Sequence, residues 1–99
     1  MQRLQDRVAV VTGAGSGIGL ASMRRLAAEG AVVVAVDIDE AAGKAAAEQA
    51  GGEFVAADVA SEDDVRRLYE TVAAQHGRVD IAFHNAGISP PEDLSLIHI

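Results

Sequence analysis

The chain has 99 residues, of which 49% are hydrophobic, so it can form one small domain with an apolar core but not two. Its 15 acidic and 8 basic residues give a net charge of -7, which disfavours nucleic acid as a partner because the phosphate backbone would be repelled. The chain has no cysteine and no apolar segment long enough for an export signal or a membrane span, so we expect a cytoplasmic protein without disulfides, cysteine-bound metal or a membrane partner.

The first apolar run, from Val8 to Val11, is continuous and is closed by a glycine cluster, which predicts a buried strand. The apolar stripe from Gly17 to Glu29 predicts a helix after that cluster. The next apolar run, residues 31–36, predicts a second strand that ends at Asp37. The chain therefore begins with a strand, a helix and another strand.

The same alternation continues in the second half. Asp39 can cap a helix that contains the alanines of residues 41–50, and residues 54–57 predict a short third strand. Ser61 is a second N-cap candidate, because acidic residues follow it in the first turn of a helical pattern. Residues 81–83 predict a fourth strand.

Strands and helices that alternate in this way predict an α/β fold, in which parallel strands are joined by right-handed crossovers. The strands are continuously apolar, as expected for a sheet with helices on both faces. A Rossmann-type doubly wound sheet and a flavodoxin-like sheet share these local patterns. The glycine cluster and the acids at the strand ends have to distinguish the two.

Four glycines form a bend almost free of side chains between the first strand and the first helix: Gly13, Gly15, Gly17 and Gly19. Such a bend lets a pyrophosphate approach the free N–H groups of the helix N-terminus. The spacing differs from the usual G-x-G-x-x-G, and a Walker A loop is excluded because the only lysine, Lys44, does not follow the glycines. Glycines also serve tight turns and close packing, so the cluster alone leaves both interpretations open.

The acid at the end of the second strand favours a dinucleotide. Asp37 stands 18 residues beyond Gly19, where a carboxylate can accept hydrogen bonds from both hydroxyls of an adenosine ribose. The alternative is that Asp37 forms a turn or caps the next helix, although Asp39 can already fill that role. A carboxylate here would also repel the 2′-phosphate of NADP, and neither Ser16 nor Ile38 is a compensating cation, so we predict NAD rather than NADP.

Four motifs resemble, in their order and spacing, the N-terminal half of the short-chain dehydrogenase/reductase family: Thr12-Gly13-x-x-x-Gly17-Ile18-Gly19, Asp37, Asp58-Val59 and Asn85-Ala86-Gly87. The resemblance runs from about Leu4 to Asp93, and residues 84–90 look most like bacterial members labelled 3-oxoacyl-[acyl-carrier-protein] reductases or related alcohol dehydrogenases. It implies a Rossmann-type doubly wound parallel sheet with strand order 3-2-1-4, truncated after the fourth strand. Residues 1–93 would then be the N-terminal part of a dinucleotide-binding domain.

The resemblance also implies roles for the matching residues. The pyrophosphate would lie, chiefly against backbone, among Gly13, Ser16, Gly17, Ile18 and Gly19. Asp58 would hydrogen-bond the adenine amino group with Val59 beside the ring, and the cofactor's ribose would be bordered by Asn85, Ala86 and Gly87. Capping of the strand end remains an alternative role for Asp58, and forming a turn remains an alternative role for Asn85. The parent protein would be a homo-oligomer acting on a small carbonyl or alcohol substrate.

The family's proton transfer uses a tyrosine and a lysine four residues after it, and this chain does not supply that pair. The only tyrosine, Tyr69, is followed at that distance by Ala73, so we predict a partly buried helix side chain, no catalytic residue and no turnover. The three histidines do not have metal-ligand spacing, so we predict no metal site.

We therefore expect a fragment of an NAD-dependent oxidoreductase that transfers hydride between nicotinamide and a carbonyl or alcohol carbon. Its fourth strand would be an unprotected sheet edge. Residues 94–99 match a translation of the transposon end used in sequencing-library adaptors, which predicts a non-native tail, with a genuine loop as the alternative. A non-catalytic nucleotide-binding module and a non-functional truncated product remain the other interpretations of the chain.

Overall fold

The computed structural model of the chain describes residues 4–84 and 97–98. Its elements, in chain order, are β1 (Val8–Thr12), α1 (Gly17–Ala28), β2 (Val32–Asp37), α2 (Glu40–Ala50), β3 (Glu53–Ala56), α3 (Glu62–His76), β4 (Ile81–His84) and β5 (Ile97–His98). The first seven lie where the sequence predicts them. In the part of the chain that the structure describes, no helix combines the length and the apolar character that crossing a membrane requires.

All strand pairs are parallel, and the strands are ordered β3-β2-β1-β4-β5 across the sheet. The predicted order 3-2-1-4 is therefore confirmed. The flavodoxin-like order, in which the third strand lies beside the first, is excluded because β3 pairs with β2. The chain reverses its direction of winding between β1 and β4, so the crevice at the carboxyl ends of these strands is the place where doubly wound sheets bind ligands.

The far side of β4 was expected to be an open edge, and this expectation is wrong for its first two residues. Ile81 and Ala82 of β4 pair with Ile97 and His98 of β5. This strand was not predicted from the sequence, because two residues are too few to give a periodic pattern. That residues 94–99 are a non-native tail stays a prediction, and residues 94–96 and 99 lie outside the described residues.

Helices cover both faces of the sheet, as the continuously apolar strands predict. Val8 and Val10 of β1 face α3, whereas Ala9 and Val11 face α1 and α2. The α3 side is filled by Val34, Val36, Val65, Leu68, Tyr69 and Val72. The other side is filled by Met23, Val33, Ala35, Ala46 and Ala47. β1 is therefore buried between two apolar layers in the centre of the sheet.

Tyr69 lies deeper than predicted. It is 2% exposed and packs in the layer beneath α3 with Leu68 and Val72. Burial raises the pKa of its phenol, because the ionised form would lose its hydration. Tyr69 is therefore a core residue that stays neutral at physiological pH.

The carboxylate of Asp80 connects the start of β1 with the loop before β4. Its Oδ2 accepts a hydrogen bond from the N–H of Val8 at 2.9 Å, and the N–H of Asp80 donates to the Val8 carbonyl at 2.9 Å. Its Oδ1 accepts from Arg78 at 2.9 and 2.6 Å and lies 3.5 Å from Arg7. Although burial opposes its ionisation, the hydrogen bonds from Arg78 and Val8 and the charges of both arginines hold the pKa of Asp80 below its usual value.

Replacement of Asp80 by alanine should destabilise the fold by about 2 kcal/mol at pH 7, since it leaves the Val8 N–H without its partner. The lowered pKa means that the carboxylate contributes stability above about pH 4 and loses that contribution as the pH falls through the folded-state pKa. Urea unfolding at pH 7 and below about pH 4 should therefore show that the free energies of unfolding of wild type and Asp80→Ala differ less in acid. An equal or larger difference in acid would contradict this role.

Candidate functional site

The predicted site residues meet at the carboxyl edge of the sheet. The bend of residues 13–19, which includes the start of α1, follows β1, Asp37 ends β2, and Asp58 follows β3. Neighbouring parallel strands end on the same side, so the bend and the two acids lie side by side along the carboxyl edge of the sheet. Asn85, Ala86 and Gly87, which would follow β4, lie outside the described residues.

Ser16 closes the bend and caps α1. Its hydroxyl donates to the carbonyl of Gly13 at 2.8 Å and accepts from the N–H of Gly19 at 3.1 Å. The N–H of Ser16 also donates to the Gly13 carbonyl, at 3.1 Å. Gly13 itself has a φ of 64°, a left-handed conformation that favours glycine. The start of α1, with its positive end of the helix dipole, is thereby fixed next to the end of β1.

Two of the other glycines in the bend are needed because the chain packs closely there. A β-carbon at Gly19 would lie 2.3 Å from the carbonyl oxygen of Gly13. A β-carbon at Gly15 would lie 2.6 Å from Cβ of Ala42 and 2.8 Å from Oδ2 of Asp37. The close-packing interpretation of the cluster is therefore correct for these two positions.

Gly17 differs from the other glycines of the bend. Apart from its chain neighbours and its own helix, a β-carbon there would meet none of the described residues within 4 Å. Gly17 is exposed at the first position of α1, where the helix offers N–H groups to an anion. Packing within the chain does not require a glycine here, so the open space beside Gly17 fits a diphosphate that approaches the backbone.

The carboxylate of Asp37 joins the bend to the start of α2. Its Oδ2 accepts from the N–H of Gly15 at 2.8 Å, and its Oδ1 accepts from the N–H of Asp39 at 3.0 Å. Asp39 caps α2 by accepting from the N–H of Ala42 at 3.1 Å, as predicted. Asp37 thus faces the bend and also has the turn role that was its alternative. A carboxylate offers about four acceptor positions, so both oxygens can still accept from ligand hydroxyls.

Asp58 is held in the turn between β3 and α3. Its Oδ1 accepts from the N–H of Ala60 at 2.9 Å, and its carbonyl accepts from the N–H of Ser61 at 2.9 Å. Asp58 and the neighbouring Val59 are half-buried. The strand-end turn predicted as the alternative role of Asp58 is therefore present, and it fixes the direction of the carboxylate.

Two large apolar side chains are exposed beside the site. Ile18 is 65% exposed at the start of α1, and Ile38 is 70% exposed directly after Asp37. Exposed apolar side chains at a crevice provide a surface for a flat apolar group such as a base. Ile18 is among the site residues predicted from the sequence, whereas Ile38 is not. Its signal would have been an apolar residue directly after the acid that ends a strand.

An open apolar groove of about 430 Å³ continues from Ile18 along α1. It is lined by Ile18, Ala21, Ser22, Arg25, Leu26 and Phe83. Phe83 belongs to β4, so the groove extends from the bend towards the side of the sheet that β4 occupies. The site is therefore polar around Asp37 and mainly apolar along the groove that begins at Ile18.

The described residues contain no group of three His, Cys, Asp or Glu side chains that could hold a metal ion. Nε2 of His76 lies 2.9 Å from Oε2 of Glu53, which is the first residue of β3. His76 therefore lies at the amino edge of the sheet, away from the bend.

Comparison with known proteins gives consistent matches over most of the chain. The family description "short chain dehydrogenase" matches residues 7–98. Tropinone reductase-like 1 of Erythroxylum coca is 44% identical in an alignment 89 positions long that covers 88% of this chain and 33% of that protein. D-threitol dehydrogenase of Mycolicibacterium smegmatis is 42% identical in an alignment 102 positions long that covers 95% of this chain and 39% of that protein.

Solved structures agree with this result. A short chain dehydrogenase from Mycobacterium smegmatis superposes with a TM-score of 0.81 at 35% identity, over 89% of this chain and 40% of that one. The chain spans about a third of the length of the curated relatives that it matches.

Proposed function

Because the chain belongs to the short-chain dehydrogenase family, we propose that it provides the NAD-binding half of an oxidoreductase that transfers hydride between nicotinamide and a carbonyl or alcohol carbon. The family implies a nicotinamide dinucleotide and a small-molecule substrate. A cytoplasmic location, on the sequence grounds given above, and a homo-oligomeric parent protein, which the family resemblance implies, belong to the same proposal.

The difference between Gly17 and the other glycines supports the proposal most directly. The bend is tightly packed at Gly15 and Gly19 and open at Gly17, where α1 begins. We assign the diphosphate to this opening, held by the backbone of residues 16–18 and by the positive end of the helix dipole. The residues present therefore fit the cofactor that the family uses.

The adenosine would lie beyond the bend, on the side of β2 and β3. Asp37 would accept hydrogen bonds from the ribose hydroxyls, Ile38 would give the base an apolar surface, and Asp58 would accept a hydrogen bond from the adenine amino group. Asn85, Ala86 and Gly87 stay predicted contacts of the ribose. When bound, the nicotinamide supplies or accepts the hydride.

NAD is proposed over NADP because the charges near Asp37 do not favour a further phosphate. Of the two arginines in the middle of α1, Arg24 donates to Oε1 of Gln49 at 2.8 Å and Arg25 lies 3.6 Å from Glu29. Both point to partners on the helices rather than to Asp37. The Asp37 carboxylate would therefore repel a 2′-phosphate without a compensating cation.

We expect the Asp37→Ala variant of the purified 99-residue chain to bind NAD about tenfold more weakly, because a hydrogen bond to a charged group contributes about 1.5 to 3 kcal/mol. Its affinity for NADP should fall less, since the repulsion is removed at the same time, so the preference for NAD narrows. Titration calorimetry with both dinucleotides measures this. Asp63→Ala, which removes an exposed carboxylate of α3, is the control. Equal affinity of the wild type for NAD and NADP would refute the assignment.

A non-catalytic nucleotide-binding module is the second candidate, and the burial of Tyr69 favours it. Tyr69 is 2% exposed in the core beneath α3, so it is not available to exchange a proton with a substrate in the crevice. We propose that the 99-residue chain binds a dinucleotide without turnover. An NADH-consumption assay with a panel of carbonyl compounds tests this, and reproducible oxidation that depends on the protein would contradict it. Circular dichroism and size-exclusion chromatography test the remaining alternative, a product that does not fold.

A further inference from the structure

The turn that contains Asp58 is held from the outside by a second acid, Asp64, in the first turn of α3. Oδ2 of Asp64 accepts a hydrogen bond from the N–H of Asp58 at 2.9 Å. Oδ1 of Asp64 pairs with Arg67, and the N–H of Asp64 donates to the Oγ of Ser61 at 3.2 Å. The side chain of Asp64 thus reaches back from the helix to the end of β3.

Asp58 is consequently restrained on three sides. Asp64 accepts from its N–H, Ser61 donates to its carbonyl, and Ala60 donates to its carboxylate. The bonds from Ser61 and Ala60 close the local turn, whereas the bond to Asp64 fixes that turn relative to α3. Removal of the Asp64 carboxylate would leave the local turn intact but would allow it to shift against the helix.

The neighbouring Asp63 shows that this contact is not a general property of acids in the first helical turn. Among the residues that the structure describes, Asp63 pairs only with Arg66, at 3.9 Å, and its side chain is 86% exposed, compared with 26% for Asp64. Both carboxylates are favoured by the helix dipole. The hydrogen bond from Asp58 also holds the pKa of Asp64 below its usual value, so Asp64 is ionised at neutral pH.

We propose that Asp64 is a positioning residue for adenine recognition: it fixes the turn from which Asp58 reaches the adenine amino group, and so sets how well the chain distinguishes adenine from hypoxanthine. The inference rests on the proposed function, because it requires Asp58 to face the adenine. Hypoxanthine carries a carbonyl oxygen where adenine carries its amino group, and of these two groups on C6 only the amino group can donate a hydrogen bond to a carboxylate.

The test compares the affinities of NAD and nicotinamide hypoxanthine dinucleotide, measured by titration calorimetry on the full chain and three variants. For the wild type we expect NAD to bind about tenfold more tightly. Asp64→Ala should reduce that ratio about fivefold. Asp63→Ala, the matched control on the same helical turn, should keep the ratio. Asp64→Asn should keep most of it, because the amide oxygen can still accept from the Asp58 N–H.

The ratio of the two affinities separates positioning from a merely structural role. If Asp64→Ala weakens both dinucleotides equally, Asp64 only stabilises the fold and the inference is overturned. A wild type that binds both dinucleotides equally well also overturns it, while the proposed dinucleotide function stands. A wild type that binds neither refutes the proposed function itself. If Asp64→Ala does not fold, as judged by circular dichroism, Asp64→Ser takes its place in the comparison of the two affinities. Its side chain is one bond shorter than that of Asp64.

Discussion

Replacement of Gly19 by alanine is expected to lower the free energy of unfolding by about 3 kcal/mol and to abolish dinucleotide binding. The new β-carbon would lie 2.3 Å from the carbonyl oxygen of Gly13 and 2.8 Å from Cα of Ala14. Both are backbone atoms, so rotation of a side chain cannot relieve the contact. Either α1 or the bend has to move, and the site is formed by their junction. Urea unfolding and calorimetry with NAD measure the two effects.

Gly17→Ala is the matched control, because it adds the same methyl group two residues earlier in the same bend. A β-carbon there has open space around it, and alanine in a helix is more stable than glycine by about 1 kcal/mol. We expect Gly17→Ala to fold at least as stably as the wild type but to bind NAD more weakly, since the methyl group occupies the space assigned to the diphosphate. Undiminished binding by Gly17→Ala would show that the diphosphate does not lie there.

Replacement of Tyr69 by alanine is expected to destabilise the chain by about 4 kcal/mol. A side chain that is 2% exposed leaves a cavity between α3 and the sheet when it is truncated. This loss is a large fraction of the total stability of a small domain, about 5 to 15 kcal/mol, so the variant should be partly unfolded under mild conditions. Urea unfolding followed by circular dichroism measures it.

Tyr69→Phe is the control that separates packing from the chemistry of the phenol. It keeps the ring and should destabilise the fold by less than about 1.5 kcal/mol, with no change in NAD binding. Since burial raises the pKa of Tyr69, the wild type should lose stability as the pH rises above about 10, where the unfolded chain ionises, and the phenylalanine variant should not. A wild-type phenol that titrates normally in the folded chain would contradict its place in the core.

The order of elements and the strand order could be predicted from the sequence because they depend on local patterns. Continuous apolar runs such as Val8 to Val11 and the N-cap residues Asp39 and Ser61 are readable without coordinates, and the structure confirms them. Parallel strands joined by helices then allow few topologies. The fold followed from these signals and from the resemblance to a family.

The division of roles within the site could not be predicted, because it depends on contacts between residues far apart in sequence. Position 15 has to be glycine because Ala42 of α2 packs too closely for a β-carbon, and the spacing of the glycines in the sequence does not reveal that contact. The N–H of Asp58 donates to Asp64. The neighbouring Asp63 is also an acid in the first turn of α3, but it pairs with Arg66 instead, and the sequence does not distinguish the two acids. The exposure of Ile38 likewise depends on how β2 ends in three dimensions.

The central place of β1 has a consequence for how the protein is made. Val8 and Asp80, which are joined by hydrogen bonds in the finished sheet, are separated by 72 residues. During translation, one side of β1 can pair with β2 early, whereas its other side has no native neighbour until the ribosome releases β4. Exposed strand sides of this kind invite contacts with other nascent chains, and distant contacts form slowly. We therefore expect the pairing of β4 with β1, together with the hydrogen bonds between Asp80 and Val8, to be a late step in the folding of the sheet.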